Sequence, residues 1–443
     1  MAVPPPLPDG YAVPRDDGQP DETYEPPDRC VSSQPATKPI EYKPWGQDRL
    51  RFGELAAMTD ETGTRVDGTG QKVAVIDTGV SDHAYFGGRL AGGGDYVVRG
   101  GSGLDDCDGH GTAVAGIIAA NPRDDAIGFR GIAPGAGIVS IRQTSAAYTH
   151  TDPRTRTSRG AGTLTTLAKA VVRAADTEGV TVMNMSVNNC RPANRGPISD
   201  EERDLQAALH YAVEKRDVVV VASAGNVGEN RCVQNNADPR APAQIVLPPW
   251  FAGDVLSVAA MDDTGVPAEF SITGPWVSVA APGTDIVSLD PVNRTQLVNQ
   301  TVEDGKPAPL QGTSFAAPYV AGLAALVRDR FEHLTAREVM RRIRTTAAHP
   351  AATDGHDNLV GYGMIDPVAA LTAFVPAEKG IPGDEAVTVP FEMPPPHERD
   401  WGPVQVALVG SAGGLGALLL TLFVVHTVRR NRRTSTGRPG VGR

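Results

Sequence analysis

The sequence predicts an α/β fold, a mainly parallel, twisted sheet with helices on both faces, plus one C-terminal transmembrane helix. Three observations lead there. Short β-rich runs (KVAVID, VTVMNMSV, DVVVVASAG, VLSVAA and WVSVAAPG) alternate with helical stretches between residues 46 and 375. That alternation marks a parallel sheet covered by helices. Polar residues able to do chemistry sit where these runs end, the place where open parallel sheets carry their sites. Finally, residues 404–428, VQVALVGSAGGLGALLLTLFVVHTV, contain no Asp, Glu, Lys or Arg. As a helix they would extend roughly 36 Å, enough to cross a bilayer with some tilt.

The elements follow in chain order. Residues 1–45 are rich in proline and acid and poor in apolar side chains, which predicts an extended arm. Residues 46–375 form the sheet-and-helix body. Within it, Thr335 and Glu338 make a capping box that opens a helix through about Thr345. Asp366 before Pro367 reads as an N-cap with proline at the first helical position. Residues 376–402 read as a proline-rich stalk, residues 403–428 as the span and residues 429–443 as a basic tail. Gly410, Gly413, Gly414 and Gly416 give the span a small-residue face. That face suits helix packing and equally suits the ordinary tolerance of membrane helices for glycine.

Charge fixes the expected topology. The net charge is −11, but the tail after Val428 holds six arginines and no acid, so the remainder carries −17. An acidic body excludes broad nucleic-acid binding. Arginines directly after a span mark the cytoplasmic side, and Trp401 suits the opposite interface. The body is therefore expected on the extracytoplasmic side of the plasma membrane, with the C-terminus cytoplasmic. Such a protein needs an export signal. The start, MAVPPPLPDGYAVP, has neither a charged n-region nor an apolar h-region, so a signal peptide is expected but absent from this chain.

Four cysteines, Cys30, Cys107, Cys190 and Cys232, fit two disulfides in an oxidising compartment or four separate thiols. None forms a CxxC pair, so no metal site and no cofactor is expected.

Three segments carry the candidate chemistry. VAVIDTGV (73–80) runs four apolar residues into Asp77 and turns at Gly79; alone it reads as a structural or capping aspartate. DGHGTAVAGIIAA (108–120) places His110 between two glycines at the start of a small-residue helix, where glycine lets other backbone approach the imidazole. A surface histidine at a helix start fits that segment as well. GTSFAAPYVAGLAALV (312–327) places Ser314 at a helix N-terminus, which favours developing negative charge and also suits a plain N-cap serine. Together, in the order Asp, His, Ser, they match one of the known chain orders of the serine-hydrolase triad. A fourth segment, VVVVASAGN (218–226), ends a buried run in Asn226, whose amide could donate to an oxyanion beside the Ser314 N–H.

These segments resemble the subtilase family over about residues 60–375. The likeness is stronger to the mycosins, the membrane-anchored subtilases of type VII secretion systems. SIRQTSAAY (140–148), ASAGNVGENRCVQN (222–235), GPWVSVAAPGTDIVSL (274–289) and GTSFAAPYVAGLAALVR (312–328) carry it. The resemblance implies a subtilisin-like fold, an Asp77–His110–Ser314 triad, Asn226 as oxyanion donor, and Cys30–Cys107 and Cys190–Cys232 pairing. It also implies a serine endopeptidase that processes exported protein or peptide substrates, with type VII secretion membrane components as partners and stabilised by it. A mainly structural role in that machine, with proteolysis secondary, is the alternative. Two features depart from the family. Ser186-Val187-Asn188-Asn189 stands where many subtilases have Ser-Leu-Gly-Gly, which predicts a narrowed or reshaped specificity pocket. No family calcium site can be placed. The polar segment 143–162 reads as a loop beside the site, either contacting substrate or partner or a disordered insertion.

Overall fold

The structure is a computed structural model that describes residues 3–31, 40, 42–124, 126–235, 238, 240–303, 306–352, 354–381 and 402–434. It divides into two units, Met1–Ile381 and Pro382–Arg443.

The first unit is built on seven parallel strands: β1 (Lys72–Asp77), β2 (Leu90–Asp95), β3 (Gly137–Arg142), β4 (Val180–Met185), β5 (Val219–Ser223), β6 (Leu256–Met261) and β7 (Val277–Pro282). Their order across the sheet is β7-β6-β5-β4-β1-β3-β2. The chain moves outward from β1 to β2, returns to insert β3, then crosses to β4 on the other side of β1. This reversal opens a crevice at the carboxyl end of β1, where doubly wound sheets bind ligands. Strands β1, β5, β6 and β7 are apolar and almost wholly buried, as expected of strands covered on both faces.

Two helix pairs cover the sheet. His110–Ala119 packs on Thr313–Arg330, and the latter lies under β4, β5 and β6. Leu164–Asp176 packs on Asp200–Glu214. Small residues let neighbouring segments pack closely onto the first pair. A Cβ at Gly322 would lie 2.1 Å from Ile132, and one at Gly116 would lie 2.4 Å from Ser288 Oγ; neither approach tolerates a side chain. Thr163 with Thr166, Ser199 with Glu202 and Thr335 with Glu338 each close a capping box, satisfying N–H groups that a helix start leaves without partners. The helix after Thr335 spans Ala336–Thr345. Asp366 caps Pro367–Thr372 through the Ala369 N–H at 2.9 Å.

Residues 3–31 lie extended across the body. Tyr11 donates to Asp204 at 2.8 Å, Tyr96 to Asp16 at 2.7 Å, and Lys169 pairs with Asp17 at 2.9 Å. Tyr24 is buried and Glu25 bridges Thr149. Both disulfides form as the family resemblance implied, Cys30 with Cys107 and Cys190 with Cys232.

Among its described residues the second unit contains one helix, Gly402–Thr434. Its segment Val404–Arg430, which contains an 18-residue stretch of mean hydropathy 2.2, is long and apolar enough to cross a membrane. Most of the expected stalk, Trp401 and the end of the expected tail (residues 382–401 and 435–443) lie outside the described residues.

Candidate active site

The crevice at the end of β1 gathers the residues singled out in the sequence. β1 delivers Asp77 fully buried. The chain then turns at Gly79 (φ +105°), where a Cβ would meet Asp105 O at 2.4 Å. The same turn passes under the His110 helix, so closely that a Cβ on Gly111 would lie 2.1 Å from Gly79 O. Gly109, where a Cβ would lie 2.8 Å from Pro291 Cγ, admits a proline ring, while Gly111 admits backbone. This approach brings His110 Nδ1 to 2.7 Å from Asp77 Oδ1, which also accepts the Thr78 N–H at 2.8 Å. A carboxylate only accepts, so Nδ1 carries the proton and Nε2 is left as the basic nitrogen. The His110 side chain is 30% exposed. Burial pushes its imidazolium toward a lower pKa. The charge and hydrogen bond of Asp77, with the charges of Asp106 and Glu229, outweigh that and raise the pKa to about 9.

Ser314 is the second residue of its helix, whose N-cap is Gly312. Its N–H falls in the first turn, where helix geometry supplies no acceptor. Pro318 lies four residues on and has no N–H to donate to the Ser314 carbonyl. That carbonyl instead accepts Ser186 Oγ at 2.7 Å, and Asn184 Nδ2 holds Ser186 at 2.9 Å. Asn226 follows β5. Its Oδ1 accepts both the Thr313 N–H (3.0 Å) and Thr313 Oγ1 (2.9 Å). A backbone N–H can only donate, so the amide orientation is fixed and Nδ2 is the free-facing donor. The place a Cβ on Gly312 would occupy lies 3.0 Å from Ser314 Oγ and 3.3 Å from Asn226 Nδ2. Hydroxyl and amide thus converge on one point, kept open by glycine. The Phe315 ring packs against His110 with centroids 5.2 Å apart.

Two cavities meet here. The larger, about 1310 Å³, runs between Gly160–Thr163 and Ser186–Cys190; the smaller, about 260 Å³, contains Ser314 and Phe315. They share Asp108, His110, Ser186 and Glu229. Val187, Asn188 and Asn189 all line the larger one. Among the described arm residues only Val31 reaches the cleft, at the wall of the smaller cavity.

The segment 143–162 is not a disordered insertion. Ser145–Thr151 and Ser158–Ala161 pair as an antiparallel hairpin. Asp108 accepts the N–H groups of Ala146 (2.8 Å) and Ala147 (2.9 Å) and the Ser145 hydroxyl. The Arg142 guanidinium lies 4.4 Å over the Tyr148 ring. Asp106, Asp108 and Thr313 support the site and were passed over in the sequence. Asp106 and Asp108 lie just before a helix whose N-cap is Gly109, so neither stands at a capping position, and the run of acids around Cys107 hides which of them the fold uses. Among the described residues no group of His, Cys, Asp and Glu side chains could hold a metal ion.

Residues 68–363 match the model of the subtilase family. The chain is 40% identical to Mycosin-1 of Mycolicibacterium smegmatis over 94% of its own length and 93% of that protein. It is 41% identical to Mycosin-1 of Mycobacterium tuberculosis, covering 94% of each. Among solved structures it resembles the MycP3 protease of the type VII (ESX-3) secretion system, with TM-score 0.74 and 39% identity over 84% of this chain and all of that one. It resembles equally a chain of an intact ESX-5 inner membrane complex, with TM-score 0.74 and 39% identity over 96% of this chain and all of that one. The chain belongs to the subtilase family of serine proteases and, within it, to the mycosins.

Proposed function

We propose that the chain is a serine endopeptidase in which Asp77, His110 and Ser314 form the catalytic triad and Asn226 donates to the oxyanion. The observation that carries this reading is convergence. Ser314 Oγ and Asn226 Nδ2 face one glycine-bounded point, and His110, oriented by Asp77, lines the same cavity as Ser314. His110 Nε2 takes the Ser314 proton as Oγ attacks a scissile carbonyl. Asp77 holds the tautomer and stabilises the imidazolium. The tetrahedral oxyanion receives Asn226 Nδ2 and the Ser314 N–H, a pre-set pair of donors needing no reorganisation. His110 returns its proton to the leaving amine, and water, activated by the same imidazole, releases the acyl group.

The helix within Gly402–Thr434 anchors the protein in the plasma membrane. The arginines after it face the cytoplasm and the peptidase body faces outward, as two disulfides also favour. Export to that side requires a signal peptide. Substrates are exported proteins processed near the membrane. Solved relatives belong to ESX inner membrane complexes, which favours a second role for this chain as a stabilising component of such a complex.

The two roles separate by experiment. Mapping new protein termini outside cells with wild-type chain and with Ser314→Ala should reveal cleavages that vanish in the variant. Identical termini in both contradict the protease role. Secretion retained in Ser314→Ala cells but lost without the protein supports the structural role; equal loss in both argues against it.

A further inference from the structure

Asp106 is a buried carboxylate that the proposed chemistry does not use. It lines neither cavity of the cleft and is 6% exposed. Its Oδ1 accepts Thr78 Oγ1 and the Gly109 N–H, both at 2.8 Å. Its Oδ2 accepts the Thr112 N–H at 2.8 Å and Thr112 Oγ1 at 2.6 Å. Thr78 Oγ1 in turn accepts the Gly111 N–H at 2.9 Å. All partners of the carboxylate are donors, two of them backbone N–H groups, so the ionised form is the one this site satisfies.

The positions of these donors give the network its meaning. Thr78 is the residue after Asp77, Gly109 and Gly111 flank His110, and Thr112 completes the first helical turn. The carboxylate and the Thr78 hydroxyl therefore join the strand end that carries one triad member to the helix start that carries another. Beside this clamp, the same two segments are joined by the Ser81 N–H, which donates to Thr112 Oγ1 at 2.9 Å, and by the His110–Asp77 bond itself.

We infer that Asp106 is a positioning residue for His110, clamping the turn after Asp77 to the first turn of the His110 helix and so fixing the imidazole that must deprotonate Ser314. The inference rests on the proteolytic reading of the cleft. It differs from simple helix capping, which is felt in stability alone. Asp106 acts through geometry and also through charge. The carboxylates whose charges favour the His110 imidazolium are Asp77 from β1, Asp106 from the loop before its own helix and Glu229 from the loop after β5; Asp108 lines both cavities beside it and Arg231 the larger one. Of the first three, Asp106 is bonded to both segments that set the Asp77–His110 distance.

The test follows the rate at which a fluorophosphonate probe labels Ser314 in the full-length chain in detergent, per labelled site, as a function of pH. In Asp106→Asn the rate should fall about 10- to 100-fold, the cost of a misplaced base. The midpoint of its rise with pH should move to lower pH, because one negative charge facing the imidazolium is gone. A variant that labels at the wild-type rate per site, with an unmoved midpoint, overturns the inference even if fewer molecules fold. If Asp106→Asn yields no folded protein, Thr78→Val decides, since it cuts the clamp and keeps the charge. A reduced rate with an unmoved midpoint supports the inference, and a wild-type rate overturns it. A wild-type chain that the probe does not label overturns the proteolytic reading and this inference with it; a labelled wild type with an unaffected variant overturns the inference alone.

Discussion

The two halves of the proposed catalytic machinery are held in different ways. The nucleophile half belongs to the core. Every residue from Thr313 to Arg328 is buried, and Asn226 extends β5, whose residues are all buried. Its position is set by close packing, where a change of one methylene is felt. The base half is held by tethers. The short run before His110 sends Asp106 to the strand end, Cys107 to the arm and Asp108 to the hairpin. Even the Val31 N–H donates to Cys107 O, at 2.8 Å. The nucleophile is thus placed by core packing, and the base, on a helix buried from Gly111 to Ala119, also by one attachment to the strand end and two to peripheral segments, the arm and the hairpin. Perturbing the periphery should therefore disturb His110 and spare Ser314 and Asn226.

The largest expected effect lies in the nucleophile half. Asn226→Ala removes the side-chain donor to the oxyanion and should lower turnover about 10²–10³-fold. Its stability should change far less, because the described bonds of the Asn226 side chain are the two to Thr313 and its backbone contacts remain in the variant. Steady-state hydrolysis and thermal melting of the same preparation check both.

Removing the arm's tether comes next. Cys30→Ser with Cys107→Ser opens a bridge spanning 77 residues and should cost about 2–4 kcal/mol of stability. If the comparison is right, it also alters the pH dependence of labelling, while the relative loss caused by Asn226→Ala stays the same in the bridged and unbridged backgrounds. Coupling between those changes would break the division into two halves.

The raised pKa of His110 predicts opposite pH trends for activity and stability. The imidazole must be neutral to act as base, so labelling should climb as pH rises through about 9. Its contribution to folding runs the other way. The folded pKa is above the ordinary 6.5, so this stability is complete below about pH 6.5 and is lost as pH rises through about 9. Melting curves of wild type and His110→Gln between pH 6 and 10 should converge at the alkaline end. A constant difference between them contradicts the assignment.

The smallest effect belongs to the hairpin. Tyr148→Ala removes the ring against Arg142 and should cost about 1 kcal/mol. Hydrogen exchange should rise in the hairpin and arm without reaching the Ser314 helix.

Much of this was legible in the sequence because the strands that place the site are apolar and end in the residues that matter. KVAVID, VTVMNMSV, DVVVVASAG, VLSVAA and WVSVAAPG correspond to β1, β4, β5, β6 and β7. β2 was not legible. LAGGGD is glycine-rich and half exposed, with a register shift between Gly92 and Gly94, so it carries neither apolar alternation nor strand propensity. The hairpin was hidden for a related reason, its Thr, Arg and Ser residues giving no buried face. Asp77, His110, Ser314 and Asn226 stood out because glycines and apolar runs frame them. Asp106 did not, since Asp105 and Asp108 beside it look the same and only the folded contacts distinguish the buried one. The disulfide pairing came from family resemblance, because four cysteines allow three connectivities.

The central claim is that Ser314, activated by His110, is the nucleophile of this cleft. The direct measurement is fluorophosphonate labelling of the full-length chain followed by peptide mapping of the labelled residue. The account predicts one label, on Ser314, lost in Ser314→Ala and nearly lost in His110→Ala. A label on another residue, or labelling that survives Ser314→Ala, contradicts it.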